Sequence, residues 1–292
     1  MKDFSYWQVY EGAAEGSGRS EKLWLINPDN GKIGLFKFKK DIFTTDHISE
    51  CIAYKLAMAL GIPCAVFELG MYHNREGSMS YNIVTTDNQV LIEGINYINI
   101  FYPSYDAEKF FDIDTGDLYS VEMVQKVTQN VFDFSDFLHM LMFDFLIGNS
   151  DRHQSNWAVL YDNGQYSFSP LYDNGSSLCA FISDEQVESY LGKDRIRWHS
   201  LVDTKSKSLI RRTVNDTKRP THLEMMNYLH DNYFEQTNLF SNKIIQTLSD
   251  KKIYTVIDDA SEGLLSNYKR ELIFKFIKEK ISILKTIYGE KE

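Results

Sequence analysis

The segment from Phe137 to Leu146 is apolar on almost every face and ends abruptly in a run of polar residues. The spacing of its large side chains predicts an α-helix, with Ser135 as the N-cap and Gly148 as the stop. A helix that is apolar around its circumference must be buried. The polar segment behind Gly148 is therefore predicted to be anchored on the core of a folded domain.

Residues 148–156 read Gly-Asn-Ser-Asp-Arg-His-Gln-Ser-Asn, and a further carboxylate follows at Asp173. Carboxylate and amide oxygens are the ligands that a hard cation such as Mg²⁺ takes in proteins. Asn156 and Asp173 therefore suit a metal that bridges the phosphates of a nucleoside triphosphate. Asp151 is left to orient an attacking hydroxyl, with removal of its proton as a second role.

A β-hairpin is predicted between these two parts of the motif. Residues 157–160 suit a strand, Asn163-Gly164 is a strong hairpin-turn signal, and residues 166–169 suit the returning strand. The hairpin gives a physical way to bring Asp173 back beside Asn156. Polar residues are also common in ordinary turns, so the catalytic interpretation depends on the helix, the hairpin and the third oxygen ligand together.

The motif from Gly148 to Asn156, followed by Pro170-Leu171-Tyr172-Asp173, resembles the signature of HipA-type serine/threonine kinases. Its Asp-Arg-His-x-x-Asn core also resembles the catalytic loop of phosphatidylinositol kinases. The resemblance implies that Asp151 is catalytic, that His153 braces the loop, and that Asn156 and Asp173 are metal ligands. It implies ATP and Mg²⁺ as cofactors and a protein serine or threonine hydroxyl as acceptor.

The same resemblance implies the fold. We expect an α/β (α+β), two-lobed, protein-kinase-like architecture, with a small β-rich N-lobe at residues 1–90 and a larger, mainly helical C-lobe at residues 91–292. Beyond Asp173 the helical spacing is clearest at residues 221–249 and 267–288.

A small, polar segment at residues 15–22 lies before the strand pattern of residues 23–26. Glycines and serines let backbone N–H groups approach a phosphate closely, although an ordinary hairpin has the same composition. The resemblance favours a phosphate loop that family members phosphorylate on themselves, here at Ser17 or Ser20. The candidate phosphate-binding residues of this loop are Ser17, Gly18, Arg19, Ser20 and Lys22.

Lys37, on the strand predicted for residues 33–38, suits a phosphate-contacting lysine, with Lys39 and Lys40 as competitors. Glu50 lies in the first turn of the helix predicted to run from Ile48 to Leu60. It either favours the positive end of that helix or forms an ion pair that holds Lys37 over the phosphates.

Two further strands are predicted, at residues 64–69 and 80–84. In a kinase-like order the connector between the lobes follows the second of them. We therefore predict that Tyr81 to Val84 contact the adenine, with apolar side chains on either side of the base.

Composition limits the alternatives. A hydrophobic content of 43% allows a proper core, the net charge of −10 disfavours direct nucleic-acid binding, and no apolar run suggests a membrane span. Three widely spaced cysteines argue against a disulfide framework, and the N-terminus lacks the apolar core of a signal peptide. We therefore expect a cytoplasmic protein.

Six basic residues fall between Lys205 and Arg219 in an otherwise acidic chain. They form either a solvated face or a docking surface for an acidic or phosphorylated partner. A lipid kinase that acts on phosphoinositides and a non-catalytic binding module are the two alternative functions. The resemblance also suggests an antitoxin-like or regulatory protein partner, but the extra N-terminal subdomain of longer family members has no counterpart before Glu15.

Overall fold

The structure is a computed structural model that describes residues 1–12, 21–41 and 43–289. It consists of two lobes. The expected mixed architecture, with a β-rich N-lobe and a helical C-lobe, is confirmed. The N-lobe holds a sheet in the order β1-β5-β6-β4-β3-β2. Its strands are β1 (Lys2–Asp3), β2 (Gln8–Val9), β3 (Lys22–Ile26), β4 (Ile33–Phe38), β5 (Phe67–Tyr72) and β6 (Arg75–Tyr81).

Helix α1 (Asp46–Leu60) connects the sheet to the rest of the molecule. It begins after Thr45 and ends at Gly61, whose φ of 65° gives the left-handed conformation that a helix end favours. The apolar stripe predicted from the sequence is buried, with Ile52 and Leu56 at 0% exposure. Since this stripe belongs to the same hydrophobic cluster as the C-lobe helices, α1 is anchored to both lobes.

Two strand boundaries differ from the sequence-based prediction. β5 begins at Phe67 rather than at Cys64, because Cys64 forms a bridge with Leu171 in the segment that leads to Asp173. β6 ends at Tyr81 rather than at Val84.

The turn between β5 and β6 explains the second shift. His73 and Asn74 take φ values of 46° and 64°, which lets the chain reverse within two residues. Asparagine tolerates this conformation better than most residues. The returning strand therefore starts at Arg75, earlier than its apolar residues suggested.

The C-lobe begins with a strand that joins the predicted hairpin. β7 (Gln89–Glu93) pairs with β10 (Ala158–Asp162), which pairs with β11 (Gln165–Phe168). At the turn, Asn163 and Gly164 have φ values of 48° and 90°, as a type I′ turn requires. The hairpin prediction is confirmed.

The remaining C-lobe elements are mostly helices. They are α2 (Gly94–Phe101), β8 (Tyr105–Asp106), β9 (Phe111–Asp112), α3 (Val121–Val127), α4 (Phe134–Ile147), α5 (Asp184–Leu191), α6 (Arg195–His199), a π-helical turn (Ser200–Thr204), α7 (His222–Asn232), α8 (Phe234–Thr247), α9 (Asp250–Ser261) and α10 (Asn267–Tyr288). No helix in the described part of the chain is both long enough and apolar enough to cross a bilayer.

Helix α4 is the buried helix that the sequence predicted. Its N-cap is Asp133 rather than Ser135, because the Asp133 carboxylate accepts a hydrogen bond from the Ser135 backbone N–H at 2.9 Å. Its end at Gly148 is as predicted, with a φ of 69°. The motif that follows is therefore attached to a helix whose side chains are almost all in the core.

Candidate active site

A cleft of about 560 Å³ collects most of the residues that the sequence singled out. The N-lobe contributes Lys22, Lys37 and Glu50 to its walls, and the C-lobe contributes the segment from Asp151 to Asn156 and Asp173. A larger groove of about 1010 Å³ lies between α7, α8 and α10, but none of the predicted site residues lines it. We therefore identify the smaller cleft as the candidate active site because of the residues that line it, not because of its volume.

Lys37 is held between two carboxylates. Its Nζ lies 3.1 Å from Oε1 of Glu50 and 2.7 Å from Oδ1 of Asp173. The ion pair with Glu50 that the sequence suggested is therefore present. Lys39 and Lys40 pair elsewhere, with Glu76 and Asp46 at 3.5 Å.

The elements around Lys37 explain this geometry. β4 presents Lys37 on the same face as Lys22, its direct partner on β3. Glu50, only 2% exposed, comes from the first turns of α1 and accepts a hydrogen bond from the Asn174 backbone N–H at 2.8 Å. Asp173 adopts a φ of 54°, a conformation that costs energy for a residue with a side chain and is typical of functional sites.

Lys37, Glu50 and Asp173 shift one another's pKa. Burial on its own lowers the pKa of Lys37, but Asp173 and Glu50 raise it above the usual value of lysine. Burial on its own raises the pKa of Asp173, yet the Lys37 ammonium lowers it to about 2. Burial raises the pKa of Glu50, against the opposing effect of Lys37. The lysine and Asp173 are therefore charged at neutral pH.

Arg152 connects the segments that carry Asp151, Asn156 and Asp173. Its guanidinium donates to the backbone carbonyls of Asn156 at 2.7 Å and Tyr172 at 2.9 Å, and to the side chain of Asn174 at 2.7 Å. At 1% exposure it is one of the largest fully buried side chains. It links the backbone of Asn156 to the residues on either side of Asp173.

Asp144 neutralises this buried guanidinium. Its two carboxylate oxygens accept bonds from Nε and Nη2 of Arg152 at 2.9 and 2.7 Å. Sequence reasoning missed the pair, although an aspartate inside the apolar helix α4 was a signal that it has a buried cationic partner. Asn149 adds a third contact, from its Nδ2 to Asp144 at 3.0 Å.

Local hydrogen bonds hold the loop around Asp151. Asn149 accepts from the Asp151 backbone N–H at 3.1 Å, and the Asn156 amide donates to the Asp151 carbonyl at 2.7 Å. His153 accepts at Nδ1 from the Ser155 N–H at 3.2 Å, which agrees with a bracing role. Burial, reinforced by the charge of Asp173, raises the pKa of the Asp151 carboxyl.

The donor set suits Mg²⁺. Asn156 uses its amide nitrogen within the loop, which leaves its side-chain oxygen as a ligand, and the Asp173 side chain is 46% exposed. Among the described residues there is no group of three or more His, Cys, Asp or Glu that could hold a metal by itself. A metal held by two protein oxygens needs further oxygens from a substrate's phosphates, as is usual for Mg²⁺ in phosphoryl transfer.

Apolar side chains line another part of the cleft, and one of them, Ile83, falls within the segment predicted to contact the adenine. They are Trp24, Leu35, Ile83, Leu91 and Tyr172. Tyr81 lies at the cleft wall, but it is only 8% exposed and its ring packs against Trp7 in a separate N-lobe core. Val84 is not among the lining residues.

The predicted phosphate loop falls largely outside the described residues. Ser17, Gly18, Arg19 and Ser20 lie outside the described residues. Lys22 lies inside them and lines the cleft. Burial lowers its pKa, and the neighbouring Lys37 adds to this effect.

The comparisons with known proteins agree with this arrangement. Residues 15–225 match the profile of the HipA-like C-terminal domain. The serine/threonine-protein kinase CtkA of Helicobacter pylori is 25% identical over 186 residues, a region that covers 60% of this chain and 55% of that kinase.

Two solved structures have the same fold. The crystal structure of the proinflammatory kinase CtkA of Helicobacter pylori superposes with a TM-score of 0.82 at 19% identity, covering 100% of this chain and 99% of that one. HipA of Shewanella oneidensis, solved with HipB and operator DNA, gives a TM-score of 0.56 at 12% identity over 97% of this chain and 67% of that one. With a family match that spans most of its length, the chain belongs to the HipA-like C-terminal domain family.

Proposed function

We propose that this protein transfers the γ-phosphoryl group of ATP to a serine or threonine hydroxyl of a protein. The observation that carries the proposal is the meeting of Lys37, Glu50 and Asp173 in one cleft with Asp151 and Asn156. The kinship with a serine/threonine-protein kinase supports it.

Each residue has a defined task. Lys37, positioned by Glu50, and the loop around Ser17 to Lys22 hold the phosphates. Asn156 and Asp173 would hold Mg²⁺, which would supply positive charge beside the phosphates during transfer. Asp151 accepts a hydrogen bond from the attacking hydroxyl and takes its proton, a role for which a raised pKa is an advantage.

Preorganisation supplies much of the rate in such a site, because little covalent chemistry is left for the protein. Arg152 ties the loop of Asp151 and Asn156 to the segment of Asp173 through buried hydrogen bonds. The metal ligands are therefore held in place before the nucleotide arrives.

The test is transfer of radiolabelled phosphate from ATP to a mixed set of serine and threonine peptides. Wild-type protein should label them, and Asp151→Asn should lose about a hundredfold or more of the rate, the usual contribution of a general base. The melting temperatures of the two proteins serve as the folding control. Equal rates in both proteins would refute the role of Asp151.

We also propose that the protein phosphorylates its own loop at Ser17 or Ser20, and that this phosphate blocks ATP binding. Intact-mass spectrometry after incubation with ATP should show added mass in wild type. Asp151→Asn, and a variant with both serines replaced by alanine, should show none. Added mass in the double-alanine variant would place the phosphate elsewhere.

A regulatory protein of the HipB type is the partner that we propose on family grounds, since the Shewanella relative was solved with HipB. The test is isothermal titration of the purified protein with a candidate of that type. A stoichiometric complex is expected, and absence of heat at micromolar concentration would argue against the pairing.

A further inference from the structure

Two arginines lie at the base of the loop that carries Asp151. Arg219 donates from Nη2 to the carbonyl of Ser150 at 3.0 Å, directly before Asp151, and from Nε to the carbonyl of Ser208 at 3.1 Å. Arg211 is the second, and neither arginine is among the residues that line the cleft. They come from the basic segment between Lys205 and Arg219.

Arg211 is fixed by its backbone beside the same loop. Its N–H donates to the Tyr119 carbonyl at 3.1 Å, and its own carbonyl accepts from Val121 at 2.9 Å. The Tyr119 hydroxyl in turn donates to the carbonyl of Arg152 at 3.4 Å. A short chain of contacts therefore connects the position of Arg211 to the loop that carries Asp151.

Arg211 is partly exposed, but part of its guanidinium is buried without a hydrogen-bond partner in the described part of the chain. Its Nε and Nη1 are shielded from solvent and find no acceptor among the described residues. The Tyr105 hydroxyl is also buried without a hydrogen-bond partner among the described residues, and Tyr105 is only 9% exposed. Tyr105 and Arg211 interact electrostatically. Buried donors without acceptors are costly and mark a place where a ligand supplies the acceptor.

Neighbouring carboxylates among the described residues do not neutralise Arg211 and Arg219. The Asp216 carboxylate acts on Arg211, but both of its oxygens already bind Arg212, at 2.6 and 3.0 Å. Arg219 donates hydrogen bonds to the backbone carbonyls of Ser208 and Ser150, which carry no net charge. Burial and the repulsion from Arg211 lower the pKa of Arg219, and Asp151 opposes this. The site therefore favours a negatively charged group next to the point of phosphoryl transfer.

We propose that Arg211, with Arg219 and Tyr105, binds an acidic side chain of the acceptor polypeptide close to the serine or threonine that is phosphorylated. The inference rests on the proposed function and adds a substrate class to it. Arg211 is the specificity-determining residue, since its guanidinium has N–H donors without an acceptor among the described residues. Arg219 also supports the loop through Ser150, so its loss has a second effect.

The test is a positional scan of serine peptides in which each flanking position carries Glu, Gln or Lys. Wild type should prefer Glu over Gln at one or more positions by about tenfold in kcat/KM, as a charge-assisted hydrogen bond provides. Arg211→Gln should abolish that preference, and Arg211→Glu should turn it toward Lys. The matched control is Lys205→Gln, at an exposed lysine of the same basic segment, and it should keep the wild-type preference.

Three outcomes would overturn the inference. They are equal use of all peptides by wild type, an unchanged preference in Arg211→Gln, and phosphorylation of phosphoinositide vesicles in place of peptides. If no peptide is phosphorylated, the proposed function fails, and fluorescence anisotropy of a labelled Glu-rich serine peptide still decides about the site. Binding by wild type that is lost in Arg211→Gln and kept in Lys205→Gln supports the site, and no binding refutes it.

Discussion

Arg152 and Asp144 form a buried bidentate ion pair, with N–O distances of 2.9 and 2.7 Å and side-chain exposures of 2% and 4%. The pair connects the buried helix α4 to the loop that carries the proposed catalytic residue. Three further hydrogen bonds from the same guanidinium reach the segments of Asn156, Tyr172 and Asn174. The position of the loop therefore depends on a charge that helix α4 keeps inside the core.

Replacing one partner of this pair should destabilise the protein strongly. Arg152→Leu leaves the Asp144 carboxylate buried without its counter-ion, which typically costs about 3–5 kcal/mol. Denaturant unfolding measures the loss. The double variant Asp144→Leu/Arg152→Leu should lose less unfolding free energy than the sum of the losses in Asp144→Leu and Arg152→Leu. The difference, the coupling energy of the pair, should be about 1 kcal/mol or more. Additive losses would mean that the pair does not act as a unit.

Asp173→Asn should remove the magnesium-dependent part of nucleotide binding. Wild type with Mg²⁺ and ATP at a hundred times the dissociation constant should gain about 2.7 kcal/mol of apparent stability. Thermal-shift titrations with and without Mg²⁺ measure this. Asp231→Asn, whose side chain is 72% exposed and far from the motif in sequence, is the control and should behave as wild type. An undiminished magnesium effect in Asp173→Asn would contradict the assignment.

The acid limb of the pH–rate profile should belong to Asp151. Burial and the charge of Asp173 raise the pKa of Asp151 above the ordinary 3.8, whereas that of Asp173 is lowered to about 2. Activity should therefore rise with pH through a pKa above 3.8, because only ionised Asp151 accepts the proton. Single-turnover transfer at a series of pH values measures the limb.

His153 offers a check on that assignment. Its charge lowers the pKa of Asp151, against the larger effect of burial. His153→Ala should therefore move the acid limb to higher pH, in addition to any loss of rate from a less rigid loop. A limb that stays in place or moves to lower pH would show that another group controls it.

Gly148→Ala should cost more than an ordinary substitution at a left-handed glycine. A Cβ at Gly148 would lie 2.6 Å from the ring of Phe276 on α10, and the φ of 69° adds strain. Gly116→Ala is the matched control, since its φ is 77° and nothing lies within 4 Å of the added carbon. We expect about 1 kcal/mol for the control, the usual cost of the backbone conformation alone, and a larger loss of unfolding free energy for Gly148→Ala. Equal losses would mean that the ring moves aside freely.

Lys280 should give stability a pH dependence above neutrality. Burial lowers its pKa in the folded protein to about 7, from 10.5. Between these values the unfolded chain binds the proton that the folded protein has released, so the free energy of unfolding rises with pH. Denaturant unfolding across this range should show a shallower rise in Lys280→Met. Parallel curves for the two proteins would rule out the effect.

Local signals predicted the elements that depend on local sequence. The Asn163-Gly164 turn fixed the hairpin, and the apolar stripe of residues 267–288 matched α10 from its first to its last residue. The turn at His73-Asn74 carries no glycine, so the β5–β6 hairpin was placed too late along the chain.

Long-range contacts were predicted only where a motif order suggested them. The motif order suggested the ion pair between Lys37 and Glu50 as one of two alternatives, and the structure contains it. The task of Arg152 was not predicted, because its partners are two backbone carbonyls and the side chains of Asp144 and Asn174, and sequence does not show which of these a guanidinium will reach. The unpaired donors of Arg211 likewise depend on the three-dimensional surroundings of one residue in a basic run.

Helix α10 lies beyond residue 225, where the family match ends, yet it carries two buried lysines that hold earlier parts of the chain. Lys269 donates to the carbonyl of Cys179 at 2.7 Å, shortly after Asp173, and Lys280 donates to the carbonyl of Val202 at 2.7 Å. A fragment cut at the end of the family match would leave these carbonyls without donors and expose the core beneath them. The folding unit therefore extends beyond the end of the family match.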